Sequence, residues 1–93
     1  MSKPFRSQYL KDLARECPHC MFPGCGKSND GDIVLAHSNR LKDGKGMGQK
    51  THDVPCYVCF MCHRKIDLEG DNVGRLEATY NSIVWLLQEG LLK

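Results

Sequence analysis

The sequence contains no apolar run long enough to cross a bilayer, since ~20 consecutive apolar residues are needed for a spanning helix. It has no internal repeat and no low-complexity tract, which argues against a solenoid or a disordered linker. A secretory leader is not expected: Met1-Ser2-Lys3-Pro4 leads directly into a polar, charged stretch. Charge of one sign is not in excess either. The 13 Lys and Arg against 11 Asp and Glu leave a formal net charge of +2, too small to define a partner. Length is also short. Ninety-three residues suit one small domain, 1–93, whose apolar core alone supplies only about 3–5 kcal/mol. Some covalent or metal staple is therefore expected.

Six cysteines provide one. Without a leader the chain is expected in a reducing, cytoplasmic setting, where clustered thiols bind metal more often than they pair as disulfides. Cys17, Cys20 and Cys25 form an upstream group, and Cys56, Cys59 and Cys62 a downstream group that runs into His63. A zinc ion takes four thiolate or imidazole ligands, and a Cys-x-x-Cys pair on a tight turn supplies two. Downstream, Cys59 with Cys62 and Cys56 with Cys59 both fit. Upstream, Cys17 pairs closely with Cys20 and more widely with Cys25. Pro23-Gly24-Cys25-Gly26 resembles a knuckle turn in which glycines let amides approach sulfur. His19 is expected to face solvent.

The element order reads helix, knuckle, strand, loop, strand, helix, helix. Residues 7–16 place Tyr9, Leu10, Leu13 and Ala14 on one helical face. Asp32-Ile33-Val34-Leu35-Ala36 reads as a buried strand delivering His37 at its end. Residues 54–58 suit a second strand, with Pro55 at its edge or start. A helix follows Phe60 as far as Glu69, and Gly70-Asp71-Asn72 breaks it. In the last helix Val73, Leu76, Tyr80, Ile83, Val84 and Leu87 recur with a period near 3.6, ending at Gly90. That face, with Trp85, is expected to form core against the first helix, and the alternative is a homodimer or adaptor surface.

A second constellation lies beside the cysteines. His63 and Asp67 stand at i and i+4 on one helix face, where an imidazole and a carboxylate can share a divalent cation. Taken singly, each residue has an ordinary explanation: His63 at a helix start, Asp67 as a solvated charge, His37 as a satisfied strand-end histidine. Their joint placement in one metal-tied unit points to a reactive site.

The pattern Cys17…Cys25…Leu35-Ala36-His37…Cys59-x-x-Cys62-His63-x-x-x-Asp67 resembles the HNH, or ββα-metal, endonucleases. More narrowly, the chain is similar to the small phage and prophage endodeoxyribonucleases of the YbcO-like family. The similarity runs from Arg15-Glu16-Cys17 through Gly46-x-Gly48-x-Lys50-x-x-Asp53 and Ile66-Asp67 to the tail around Trp85 and Gly90. It implies an α+β fold: a small, zinc-bound, treble-clef-like ββα-metal domain with flanking N- and C-terminal helices. It favours Cys17, Cys25, Cys59 and Cys62 as the structural zinc set, with Cys20 and Cys56 as extras. His37 then matches the general base, and His63 and Asp67 match the ligands of a catalytic Mg²⁺ or Mn²⁺.

One position departs from the pattern. Many such enzymes carry a metal ligand immediately before the base, where this chain has Ala36. The ion then keeps two protein ligands and waters, or recruits Asp53, or takes His37 itself; alternatively Asp53 orients the His37 ring. The implied function is hydrolysis of DNA, single-stranded, branched or duplex, with low sequence specificity, in the host cytoplasm if the chain is phage-encoded. Residues 38–52 are the expected substrate loop: Arg40, Lys42, Lys45 and Lys50 against Asp43 give a local +3, and Gly44, Gly46 and Gly48 allow close backbone approach. The competing reading is a zinc-bound nucleic-acid-binding module without catalysis.

Overall fold

Ser7 caps a short helix, α1 (Gln8–Asp12), its hydroxyl accepting the Leu10 amide at 3.1 Å. The computed structural model describes residues 6–37 and 53–92. The expected DNA contacts Arg40, Lys42, Lys45 and Lys50 lie outside the described residues. Helix α1 tightens into a 3-10 turn, Leu13–Arg15, so the expected helix over 7–16 is shorter and of two kinds. Leu10, Leu13 and Ala14 are buried, as their spacing requires. The Asn29 side chain then closes the turn. Its amide donates to the carbonyls of Ala14, Arg15 and Cys17, at 2.7 Å for the last, tying α1 to the knuckle that follows.

Two strands form an antiparallel pair, β1 (Ile33–Leu35) and β2 (Tyr57–Cys59), with Ile33 opposite Cys59 and Leu35 opposite Tyr57. Pairing extends one step further, because the Ala36 amide donates to the Cys56 carbonyl at 2.9 Å. The second strand was expected over 54–58 and instead lies over Tyr57–Cys59. Pro55 has no amide hydrogen for the ladder. Helix α2 (Phe60–Glu69) follows β2 without a connecting loop and buries Cys62 and Ile66, one turn apart. Gly70 ends it in the left-handed region, at φ 64°, with its amide on the Ile66 carbonyl. Asp71 then caps α3 (Asn72–Gln88), accepting the Gly74 amide at 2.9 Å. These described elements make a small α+β unit. No helix among the described residues is long and apolar enough to cross a membrane.

Tyr57 joins the layers. Fully buried, it donates its hydroxyl to the Leu10 carbonyl at 2.6 Å and stands edge-on to Trp85, with ring centroids 5.8 Å apart. Its amide donates to the Ser82 hydroxyl and its carbonyl accepts the Met21 amide. One residue thus contacts α1, α3 and the knuckle, and each of its polar groups is paired inside the core.

The buried face of α3 corrects the sequence expectation. Val73, Leu76, Tyr80 and Leu87 point outward, and Gly74, Arg75, Ala78, Ser82 and Leu86 are buried. Close approach explains the reversal. A Cβ added to Gly74 would stand 2.5 Å from the Phe22 ring, and Ala78 and Ser82 are wholly buried against their neighbours. At Gly74, Ala78 and Ser82 the helix comes too close to its neighbours for a large side chain, and Leu86 fills the wider space further along. Gly74→Ala should therefore lower stability by about 1–3 kcal/mol through overpacking, read as a reduced urea midpoint with an unchanged slope. No loss would mean that Phe22 moves aside freely.

Candidate metal centre

The knuckle is built by a single antiparallel bridge, His19 with Ser28, inside which the Cys20 amide donates to the Lys27 carbonyl at 2.8 Å. At its tip the Cys25 amide turns back onto the Phe22 carbonyl, and Gly24 and Gly26 adopt positive φ of 83° and 67°. A side chain at either glycine would strain that turn. The bend carries Cys20 and Cys25 toward the end of β2, where Cys59 closes the strand and Cys62 lies in the first turn of α2.

The sulfurs of Cys20, Cys25, Cys59 and Cys62 all lie within 4.8 Å of one another. A tetrahedron with metal–sulfur bonds of about 2.3 Å has sulfur–sulfur edges of about 3.8 Å, so this cluster can hold a metal ion such as zinc. Three of the thiols are buried and Cys25 is exposed. The local electrostatics suit a cation. Burial pushes the Cys20 thiol up to about 11 and raises Cys62 as well, so the bare group resists ionisation. A backbone hydrogen bond from Lys27 lowers Cys25, and the Cys59 amide reaches the Cys20 sulfur at 3.3 Å. A dication resolves the conflict by deprotonating all four ligands while neutralising half their charge.

The expected set named Cys17, and the structure places Cys20 there instead. Cys17 lies before the His19–Ser28 bridge, outside the bend. Its buried thiol donates to the His19 carbonyl at 3.2 Å, and burial raises it to about 11. Cys25, Cys59 and Cys62 sit where they were expected. Cys56 is buried elsewhere, its thiol directed to the Arg75 carbonyl. His19 is exposed, its ring nitrogen Nδ1 3.0 Å from the Cys20 carbonyl oxygen.

His37 stands two residues beyond β1, and its Nε2 meets Asp53 Oδ1 at 2.6 Å. Asp53 is fully buried, and its Oδ2 accepts the Ser7 amide at 2.8 Å, with Arg6 and Lys11 also within salt-bridge distance. Burial pushes its carboxyl up, but the bonds from His37 and Ser7 and the Lys11 charge outweigh this and hold it below its ordinary value. An ionised carboxylate only accepts, so it selects the tautomer in which Nε2 donates, and in a neutral ring of that tautomer the lone pair is on Nδ1. His63 and Asp67 form a second pair on α2, Nε2 to Oδ2 at 3.5 Å, both partly exposed. Among the described residues the four cysteines are the only group of three or more ligand side chains brought within metal-binding reach.

The chain matches no family model, no curated protein and no solved structure.

Two outcomes check this geometry. Purified protein should carry one zinc per chain; Cys20→Ser should weaken zinc binding more than about 100-fold and unfold the domain, while Cys17→Ser keeps both metal and fold. The reverse pattern would return Cys17 to the ligand set. Asp53→Asn should cost about 1.5–3 kcal/mol at neutral pH. In nitrogen-15 spectra the neutral His37 ring should carry its proton on Nε2, a preference that the Asn variant loses. A ring protonated on Nδ1 in the unaltered protein would contradict the assignment.

Proposed function

We propose that the protein is a metal-dependent endodeoxyribonuclease of the HNH, or ββα-metal, type, hydrolysing DNA phosphodiester bonds with low sequence specificity. The observation that carries this reading is His37, two residues beyond β1, with its Nε2 on a fully buried carboxylate, a pairing that suits Nδ1 to the role of base. The order β1, β2, α2, with α2 starting at the last strand residue and bearing His63 and Asp67, supports it. Zinc at the four cysteines is the structural ion in this reading, since a closed four-thiolate set has no open position for catalysis.

His63 and Asp67 are the side chains that would hold the second cation, their ligand atoms standing 3.5 Å apart on neighbouring turns of α2. When bound, Mg²⁺ or Mn²⁺ supplies a Lewis acid for the phosphoryl oxygen and the leaving 3′ oxygen. Ala36, where the resemblance would place a further ligand, is buried and offers none. His37 Nδ1 takes a proton from the attacking water, the new P–O bond forms, and the P–O3′ bond breaks as the departing 3′ oxygen takes a proton from solvent water, leaving a 5′-phosphate and a 3′-hydroxyl. Asp53 keeps the ring in the required tautomer and stabilises the imidazolium that results. The basic residues Arg40, Lys42, Lys45 and Lys50 are assigned to phosphate contact, which positions DNA without reading bases.

Plasmid and single-stranded DNA incubated with the zinc-loaded protein should be cut with Mg²⁺ or Mn²⁺ and spared in EDTA. His37→Ala and His63→Ala should each slow cutting at least about 100-fold without loss of zinc. Cleavage indifferent to both substitutions would exclude this site. A second reading, a zinc-bound nucleic-acid-binding module without catalysis, draws on the four-thiolate group being the sole multi-ligand cluster among the described residues. It predicts DNA binding with no cleavage under any divalent ion, and affinity unchanged by His37→Ala.

A further inference from the structure

The outward face of α3 carries large apolar residues. Val73, Leu76, Tyr80 and Leu87 are 69%, 53%, 69% and 61% exposed, and Val84 is partly exposed on the same stripe. No described residue packs the first four away. Together they leave on the order of 500 Å² exposed, the upper range for one apolar patch on a monomer. The inward face of the helix is already satisfied by Ala78, Ser82 and Leu86, so folding does not account for the outer stripe.

We propose that this face pairs with the same face of a second copy, antiparallel, across a two-fold axis at Tyr80. Three observations select that partner. The stripe is a palindrome: positions 73, 76, 80, 84 and 87 are spaced 3, 4, 4 and 3. An antiparallel copy centred on Tyr80 therefore sets Val73 against Leu87 of the other chain and Leu76 against Val84, the self-complementary arrangement of an isologous dimer. Charge disfavours other partners. The two charged residues of α3 are Arg75, which is buried, and the acidic Glu77, so the face offers nothing to a polyanion or an anionic membrane. Area is sufficient, since two such faces bury about 1,000 Å², the lower bound for a specific interface. The proposal stands apart from the nuclease reading and survives if that reading fails.

Sedimentation and light scattering of the zinc-loaded full chain should show reversible association of two 10.5-kDa copies. Leu76→Lys and Tyr80→Lys should each weaken association about 100-fold or more, with zinc content and far-UV circular dichroism unchanged. Leu87→Lys, in the last helical turn, serves where either central variant fails to fold. Leu76→Lys mixed with Val84→Glu should form a heterodimer, because the antiparallel register sets the new charges opposite each other. A protein monomeric at all concentrations would overturn the proposal, as would a dimer unaffected by these substitutions. Failure of the charge-swapped pair to associate would overturn the antiparallel register.

Discussion

Four sulfur atoms brought within 4.8 Å of one another govern the arrangement of this molecule. Two come from a glycine-bent knuckle and two from the junction of β2 with α2, segments more than thirty residues apart in sequence. Uncompensated, that convergence is unfavourable, because burial raises the Cys20 and Cys62 thiols and crowding resists their ionisation. A tetrahedral cation bound there would turn the same convergence into a constraint, tying the knuckle to the point where β2 stops and α2 starts. A chain of this size has little core to spare for that task.

At the far end of the hairpin a second constraint acts. Asp53 is fully buried and binds His37, the Ser7 amide and two basic side chains of the N-terminal segment. The start of α1 is thus tied to the two residues that flank 38–52. Removing that carboxylate would leave a partly buried ring nitrogen and a backbone amide without this partner, a cost out of proportion to one exposed ion pair. The two constraints act at opposite ends of β1 and β2, and Tyr57 connects them through the core. In the proposed nuclease, one end holds the scaffold and the other holds the base.

Much of this was legible in the sequence, for reasons that differ between residues. The β-branched run at Ile33 and the Gly70-Asp71 break mark element boundaries because they act locally. Spacing marked two cysteine half-sites but left the set of four open, and the family resemblance favoured Cys25, Cys59 and Cys62 together with Cys17. Cys20 was passed over because both it and Cys17 stand near Cys25 in sequence. What separates them is the His19–Ser28 bridge, a tertiary fact whose only local trace is the pair of glycines bracketing Cys25. Helix α3 misled for another reason. Its large apolar residues repeat at helical spacing, and so do its small ones. Periodicity locates both faces but does not say which one the available space admits. Gly74, Ala78 and Ser82 carried the signal for close packing, and a scale that rewards only bulk passes over them.

The most direct test of the central constraint is zinc K-edge X-ray absorption of the purified, folded protein. A tetrahedral four-thiolate centre predicts a first shell of four sulfurs at about 2.3 Å with no nitrogen or oxygen scatterer. A mixed shell, or a folded protein that binds no metal, would contradict it.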